Sequence, residues 1–340
     1  RIVVRVPDGF ELSFGRGVVV SWRAPGAGQC APPMGLGPWP IATADSRDML
    51  SEQLEDADFS TDLCGFSVVE HRQRLAEASE FRVVVDTETL LDRRDDDGDD
   101  AIVYRRYTVY PDGAVYVRVK TAGLAAKLAG DAGLAIALNE NQGLRPGASS
   151  ERGRRFILCA RPQAGAVALM WAPASAADGE LLADISSLDE RRRVIAMRIA
   201  ASEGGELDAA TMIRVLPSDA SAVAAATESA AAYQTSAAVV LSAGYLRRDA
   251  RGDLNRDGFN ESEGLYELSA DAGLLRFRFD PGATRRSAPR FRVRGARGRR
   301  CWIYADGRIV TTQERDADGE VLFTIPQTIG EPAAVEVLLR

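Results

Sequence analysis

Along most of this chain apolar and polar positions alternate with a period of two, the pattern of strands that bury one face. Residues 2–6, 10–14 and 18–22 open it, with a turn at Asp8-Gly9. Further strands are read at 66–75, 81–85, 102–110, 114–119, 156–159, 167–171, 194–199 and 212–216. Of these, 102–110 and 114–119 form the clearest hairpin, because Pro111-Asp112-Gly113 supplies the positive φ that a tight turn needs. Residues 26–40, rich in Gly and Pro, read as a loop. Two helices are expected: a short one over 46–56 capped by Ser46, and an Ala-rich one over 219–234 capped by Ser218. After residue 238 the strands resume at 238–241, 265–268, 275–279, 291–293, 301–304, 309–312, 321–325 and 334–338, with turns at Asp306-Gly307 and Asp318-Gly319. So many short strands and tight turns predict a mainly β, multi-stranded antiparallel β-sandwich with few helices. A large sandwich domain is expected over 1–245 and a small C-terminal β-module over 246–340.

One stretch departs from the alternation. Asp253-Leu254-Asn255-Arg256-Asp257-Gly258-Phe259-Asn260-Glu261-Ser262-Glu263 spaces three short oxygen-bearing side chains two residues apart and turns at a glycine. It then offers two more carboxylates. Asp253, Asn255 and Asp257 would give side-chain oxygens, Phe259 its carbonyl, Glu261 a ligand directly or through water, and Glu263 the closing carboxylate, which is how a hard cation such as calcium is wrapped. The dozen residues resemble the calcium loops of EF-hands, dockerins and thrombospondin type 3 repeats. They differ in closing one position early, since Gly264 stands where the EF-hand pattern has its bidentate carboxylate, and in being flanked by strands. The acidic turn at 92–100 lacks the ligand order, and Asn260-Glu261-Ser262 is a glycosylation sequon inside the loop.

Length and charge narrow the partners. The 340 residues suffice for one large or two ordinary domains, and the formal charge of −7 argues against nucleic acid. Lysine occurs only at Lys120 and Lys127, the composition of a GC-rich bacterial genome. No apolar run approaches the length that spans a bilayer. Cys30, Cys64, Cys159 and Cys301 have no C-x-x-C spacing, so zinc is not expected; one or two disulfides in an exported chain and buried free thiols both remain open.

Candidate chemistry is sparse. His71 is the single histidine, which excludes multi-histidine metal centres, and there is no nucleophile elbow, P-loop or dinucleotide fingerprint. Ten arginines lie between 276 and 300. If their strands were adjacent, Arg276 and Arg278 with Arg292 and Arg294 would form one outward guanidinium face suited to carboxylate or sulfate. The strand-rich organisation is similar to the supersandwich and C-terminal sandwich modules of bacterial polysaccharide lyases. That resemblance implies binding or eliminative cleavage of an anionic polysaccharide, with Tyr107 or His71 as base and Arg74 or Arg105 neutralising the sugar carboxylate. The expectation is therefore a secreted or cell-surface, calcium-stabilised protein that binds or processes carbohydrate. The alternative is a non-enzymatic structural or adhesive protein that contacts identical subunits.

Overall fold

The computed structural model describes residues 1–7, 9–24, 39–42, 62–63, 66–93, 100–124, 132–139, 145–146, 156–161, 165–172, 181–186, 192–199, 206–216 and 221–340. The expected helix over 46–56 and the acidic turn at 92–100 fall wholly or largely outside them. The remainder is mostly β, with several antiparallel sheets and one helix.

The frame is a nine-stranded antiparallel sheet. In spatial order it runs Arg145–Pro146, Phe156–Arg161, Gly165–Trp171, Asp208–Leu216, Ala114–Ala122, Ala101–Val109, Val83–Arg93, Phe66–Ala78 and Asp62–Leu63. The hairpin between Ala101–Val109 and Ala114–Ala122 fixes its middle: Val109 pairs with Val115, and Gly113 takes φ 86° in the turn. The segment at 66–75, apolar enough to suit either period, is a strand because it pairs along nearly its whole length with Val83–Arg93. One face of this sheet is covered by a three-stranded N-terminal unit, Ile2–Arg5, Glu11–Gly15 and Val18–Arg23, whose Phe14 ring packs edge-on against Tyr107.

The helix α1 spans Ala222–Gln234, three residues shorter at its start than the sequence suggests, with Ser221 at its N-cap; Ser218 lies outside the described residues. It buries Ala222, Ala226, Ala230 and Tyr233, a stripe at helical spacing, so alanine serves close packing as well as propensity.

Two further sheets make the C-terminal sandwich. One orders Ala238–Ala243, Leu274–Asp280, Ala333–Leu339, Cys301–Ala305 and Arg308–Ile309. The other orders Tyr245–Leu246, Leu265–Ser269, Arg290–Arg294, Val321–Thr324 and Gln313–Arg315, with Phe259–Asn260 beside Leu265–Ser269. Leu265–Ser269 and Arg290–Arg294 run parallel, against the antiparallel rule elsewhere. The strand Ala238–Ala243, ahead of residue 245 in the chain, pairs into the first of these sheets through Leu274–Asp280. Among the described residues, ring contacts run from Phe81 through Tyr110, Tyr116, Tyr233, Phe259 and Tyr266 to Phe291 and Phe323.

Candidate functional site

The acidic loop leaves its strand at Leu246 and folds on its own side chains. The Asp257 N–H donates to Asp253 Oδ1 (3.1 Å) and Asn255 Oδ1 (3.0 Å), and the Gly258 N–H to Asp253 Oδ2 (2.8 Å). Asp257 Oδ1 accepts the Phe259 N–H (2.8 Å), while the buried Phe259 ring anchors the turn between Tyr233 and Tyr266. Gly258 has φ 95°, and a Cβ there would sit 2.5 Å from the Leu246 side chain, so the turn requires glycine. Ligand atoms of Asp253, Asp257 and Glu261 converge within 4.8 Å of one another. Burial pushes the Glu261 carboxyl up to about 8, with Asp257 and Asp253 adding to the rise, and burial likewise raises Asp253. Glu261 Oε2 accepts the Leu254 N–H (2.8 Å), but its buried Oε1 has no hydrogen-bond partner among the described residues. An orphaned buried oxygen beside two more carboxylates is chemistry a hard cation satisfies, so these three residues could hold a metal ion.

Asn255 sets the loop through Asp257, to which its Nδ2 also donates (2.9 Å). Glu263 is not the closing ligand the spacing suggests. Its carboxylate turns away from the cluster to Arg82 (2.6 Å) and Arg292 (2.5 Å), two guanidiniums that are each 4% exposed. Asn260 is buried, its Oδ1 accepting the Ser262 and Glu263 N–H groups, so the folded sequon offers no acceptor amide.

The proposed bases sit apart from this loop, beneath the N-terminal unit. Tyr107 O–H (3.2 Å) and Thr87 O–H (2.9 Å) both donate to the Gly17 carbonyl, and His71 Nδ1 lies 3.1 Å from Thr89 Oγ1, which also accepts from Arg105 (3.2 Å). The structure brings His71, Tyr107 and Arg105 together on the covered face. Tyr107 is fully buried and burial raises its hydroxyl, so it is not a base that a polymer can reach; Arg105 is equally buried, its guanidinium pushed down to about 10. Arg74 points to the opposite face.

That opposite face is the site the sequence reading missed. The pairing lines up Arg72, Glu88, Tyr104, Lys120 and Asp208 in one cross-strand row, and Arg74, Asp86, Arg106 and Arg118 in the next. Asp86 is gripped by Arg106 (2.7 and 3.0 Å) and Arg74 (2.8 Å), which outweigh its burial and lower its carboxyl. Across from the rows stand Arg247, Asp249 and Arg251, with Arg294 and Asp318, and the space between is a cleft of about 1220 Å³. Its floor is the ion-pair network of Glu77, Arg82, Glu263, Arg292, Glu267 and Asp316, which ties the nine-stranded sheet to the sandwich. With Arg105 set aside, since its guanidinium lies on the covered face, ten Arg and Lys line the cleft against eight Asp and Glu, so it is cationic within an acidic protein.

The four arginines expected to share one face do not. Arg276 and Arg278 lie on the five-stranded sheet, whereas Arg292 and Arg294 lie on the other sheet at the cleft. Arg292 is buried and committed to Glu263, Glu267 (2.7 Å) and Asp316 (3.0 Å). Only Arg294, a third exposed, is open to a ligand there.

No protein-family model matches the sequence, and no curated protein matches it either. Among solved structures, heparan sulfate lyase HepC from Pedobacter heparinus is similar over 79% of this chain at 8% identity and TM-score 0.38. A mutant of that lyase is similar over 80% at 9% identity and TM-score 0.38; this chain spans 37% of the lyase's length in both. YeaD from Salmonella typhimurium, assigned as a mutarotase, is similar over 63% of this chain and 90% of its own, at 12% identity and TM-score 0.32. At these values the likeness does not bear on what the cleft does.

Proposed function

We propose that the protein binds an acidic polysaccharide in the cleft between the nine-stranded sheet and the C-terminal sandwich. The observation that carries this reading is the pair of cross-strand rows, which interleave five cations with Glu88, Asp86 and Asp208 and place the exposed ring of Tyr104 in the first row. Guanidiniums such as Arg74 and Arg106 are shaped to take carboxylate or sulfate, and the interleaved Asp86 and Glu88 to accept sugar hydroxyls. A densely phosphorylated chain would meet repulsion from the same carboxylates, which is why a sparsely charged, hydroxyl-rich polymer fits better. A calcium ion on Asp253, Asp257 and Glu261 would stiffen the sandwich wall, and its oxygen ligand set suits a calcium-rich space outside the cell. A second reading, calcium-stiffened assembly of identical subunits, is favoured by the edge strand Ala238–Ala243, which carries no charge and has Val240 half exposed.

Calorimetric titration with oligogalacturonate, heparin oligosaccharides and neutral dextran oligosaccharides tests the proposal. Binding to at least one acidic series, weakened by added salt, is expected. Equal binding to dextran, or binding to none, would overturn it.

A further inference from the structure

A second surface lies on the outer face of the five-stranded sheet, remote in the fold from the two cross-strand rows. Along its strands Phe277, Phe279, Ile303, Val335 and Val337 point inward and are buried, so the residues between them point out. Strand pairing arranges those outward residues in rows: Leu274, Leu338 and Trp302; then Arg276, Glu336 and Tyr304; then Val240, Arg278 and Ala334. Trp302 and Tyr304 stand two residues apart on one strand, about 6.7 Å along it, and both rings are partly open to solvent. The Arg340 guanidinium lies 5.8 Å from the Trp302 ring, and Arg276 and Arg278, 54% and 60% exposed, stand two strands from the aromatic pair with Glu336 and Ala334 on the strand between.

We propose that this face is a second binding platform for a sugar chain carrying carboxylate or sulfate groups. The proposal rests on the reading of the protein as a binder of acidic polysaccharide, and adds where a long chain is held outside the cleft. Two aromatic faces in line on a flat sheet suit the C–H faces of pyranose rings, which need a broad apolar plane and no pocket. Arg278, whose nearest acid is 3.9 Å away at Asp280, is available for the acidic group, and Arg276 can move from Glu336 (2.6 Å) to share it. Arg276 and Arg278 are each more exposed than the acid beside them, 54% and 60% against 33% for Glu336 and 34% for Asp280, which matches an anionic chain.

The test uses the full chain with two double variants, Trp302→Ala/Tyr304→Ala and Arg276→Ala/Arg278→Ala, and a cleft variant, Arg74→Ala/Arg106→Ala. Affinity for polymeric polygalacturonate and heparin is read by gel-retardation electrophoresis, and affinity for their short oligosaccharides by calorimetry. Each platform variant is expected to lose polymer affinity by about ten-fold, with Trp302→Phe retaining most of it and oligosaccharide binding unchanged. The two polymers separate carboxylate from sulfate recognition. Polymer affinity that survives both platform variants would overturn the platform whatever the cleft does. Oligosaccharide binding that survives the cleft variant while polymer binding falls in the platform variants would overturn the cleft alone. A self-associated wild type that the aromatic variant turns into monomer, with no change in polymer binding, would make this face a subunit contact and also overturn the proposal. The arginine variant, altering only exposed side chains, keeps the test decisive if the aromatic variant does not fold.

Discussion

Glu263 is where the loop, the cleft and the two halves of the protein meet, so Glu263→Gln is the most informative single change. Its carboxylate spans Arg82 and Arg292 with only 15% of the side chain exposed. Breaking a buried pair by removing one partner costs about 3–5 kcal/mol when the other charge is stranded. Here neither guanidinium is stranded, because Arg82 keeps Glu77 (2.9 Å) and Arg292 keeps Glu267 and Asp316, so about 3 kcal/mol is an upper bound on the loss from this source. The electrostatics of the site point to the same size: burial would raise the Glu263 carboxyl, but Arg292 and Arg82 outweigh it and hold it at about 2 against an ordinary 4.5. That gap corresponds to about 3 kcal/mol. Because the folded value is depressed, this stability is present above pH 4.5 and is lost as pH falls toward 2. Urea unfolding should therefore find Glu263→Gln less stable by up to about 3 kcal/mol at pH 7, or at most roughly 5–10 °C in Tm, with the difference shrinking as the medium is acidified through pH 4. Its response to calcium should match wild type, since this carboxylate is not in the acidic cluster. A variant as stable as wild type at pH 7, or a deficit that persists undiminished in acid, would refute the reasoning.

Three further outcomes follow from particular contacts. Calcium at a hundred-fold excess over its Kd should stabilise the protein by about 2.7 kcal/mol and Glu261→Gln should abolish that gain; a thermal melt with and without chelator decides, and an unchanged response in the variant would remove Glu261 from the site. Gly264→Ala should cost upward of about 3 kcal/mol, because φ is 67° and the new Cβ would fall 2.0 Å from the Tyr116 ring, whereas Gly282→Ala, at φ 65° with nothing within 4 Å, should cost only about 1 kcal/mol of backbone strain by denaturant titration. Arg106→Ala should weaken acidic oligosaccharide binding and flatten its salt dependence without lowering stability by more than about 1 kcal/mol, since its partner Asp86 keeps Arg74; equal salt slopes for variant and wild type would count against a role in charge recognition.

The β-class of the fold was legible because alternation with tight turns leaves few other solutions, and the Asp112-Gly113 hairpin even contained the site. Counting back from that turn pairs Tyr104 with Lys120 and Arg106 with Arg118, the middle of both rows. What alternation does not reveal is which face another layer covers. The strand Ala101–Val109 carries arginines on both faces, and the one at 105 went under the N-terminal unit while the one at 106 stayed in the cleft. The segment Arg290–Arg294 misled for the same reason: Arg-Phe-Arg-Val-Arg reads as one wet face, but the strand lies where the sandwich meets the nine-stranded sheet, so four of its five residues are buried. Its parallel neighbour Leu265–Ser269 leaves no signature in spacing either. The turn at Gly258 was legible in the spacing, whereas the partners of Glu263 were not, because Arg82, 181 residues away in sequence, decides where that carboxylate turns.

The most direct test of the cleft is hydrogen exchange of the full chain with and without a saturating acidic oligosaccharide. Slower exchange should appear in peptides covering 72–74, 104–106 and 118–120 on the sheet and 247–251 on the facing wall. Bound oligosaccharide that leaves all four segments exchanging as in the free protein would contradict the account.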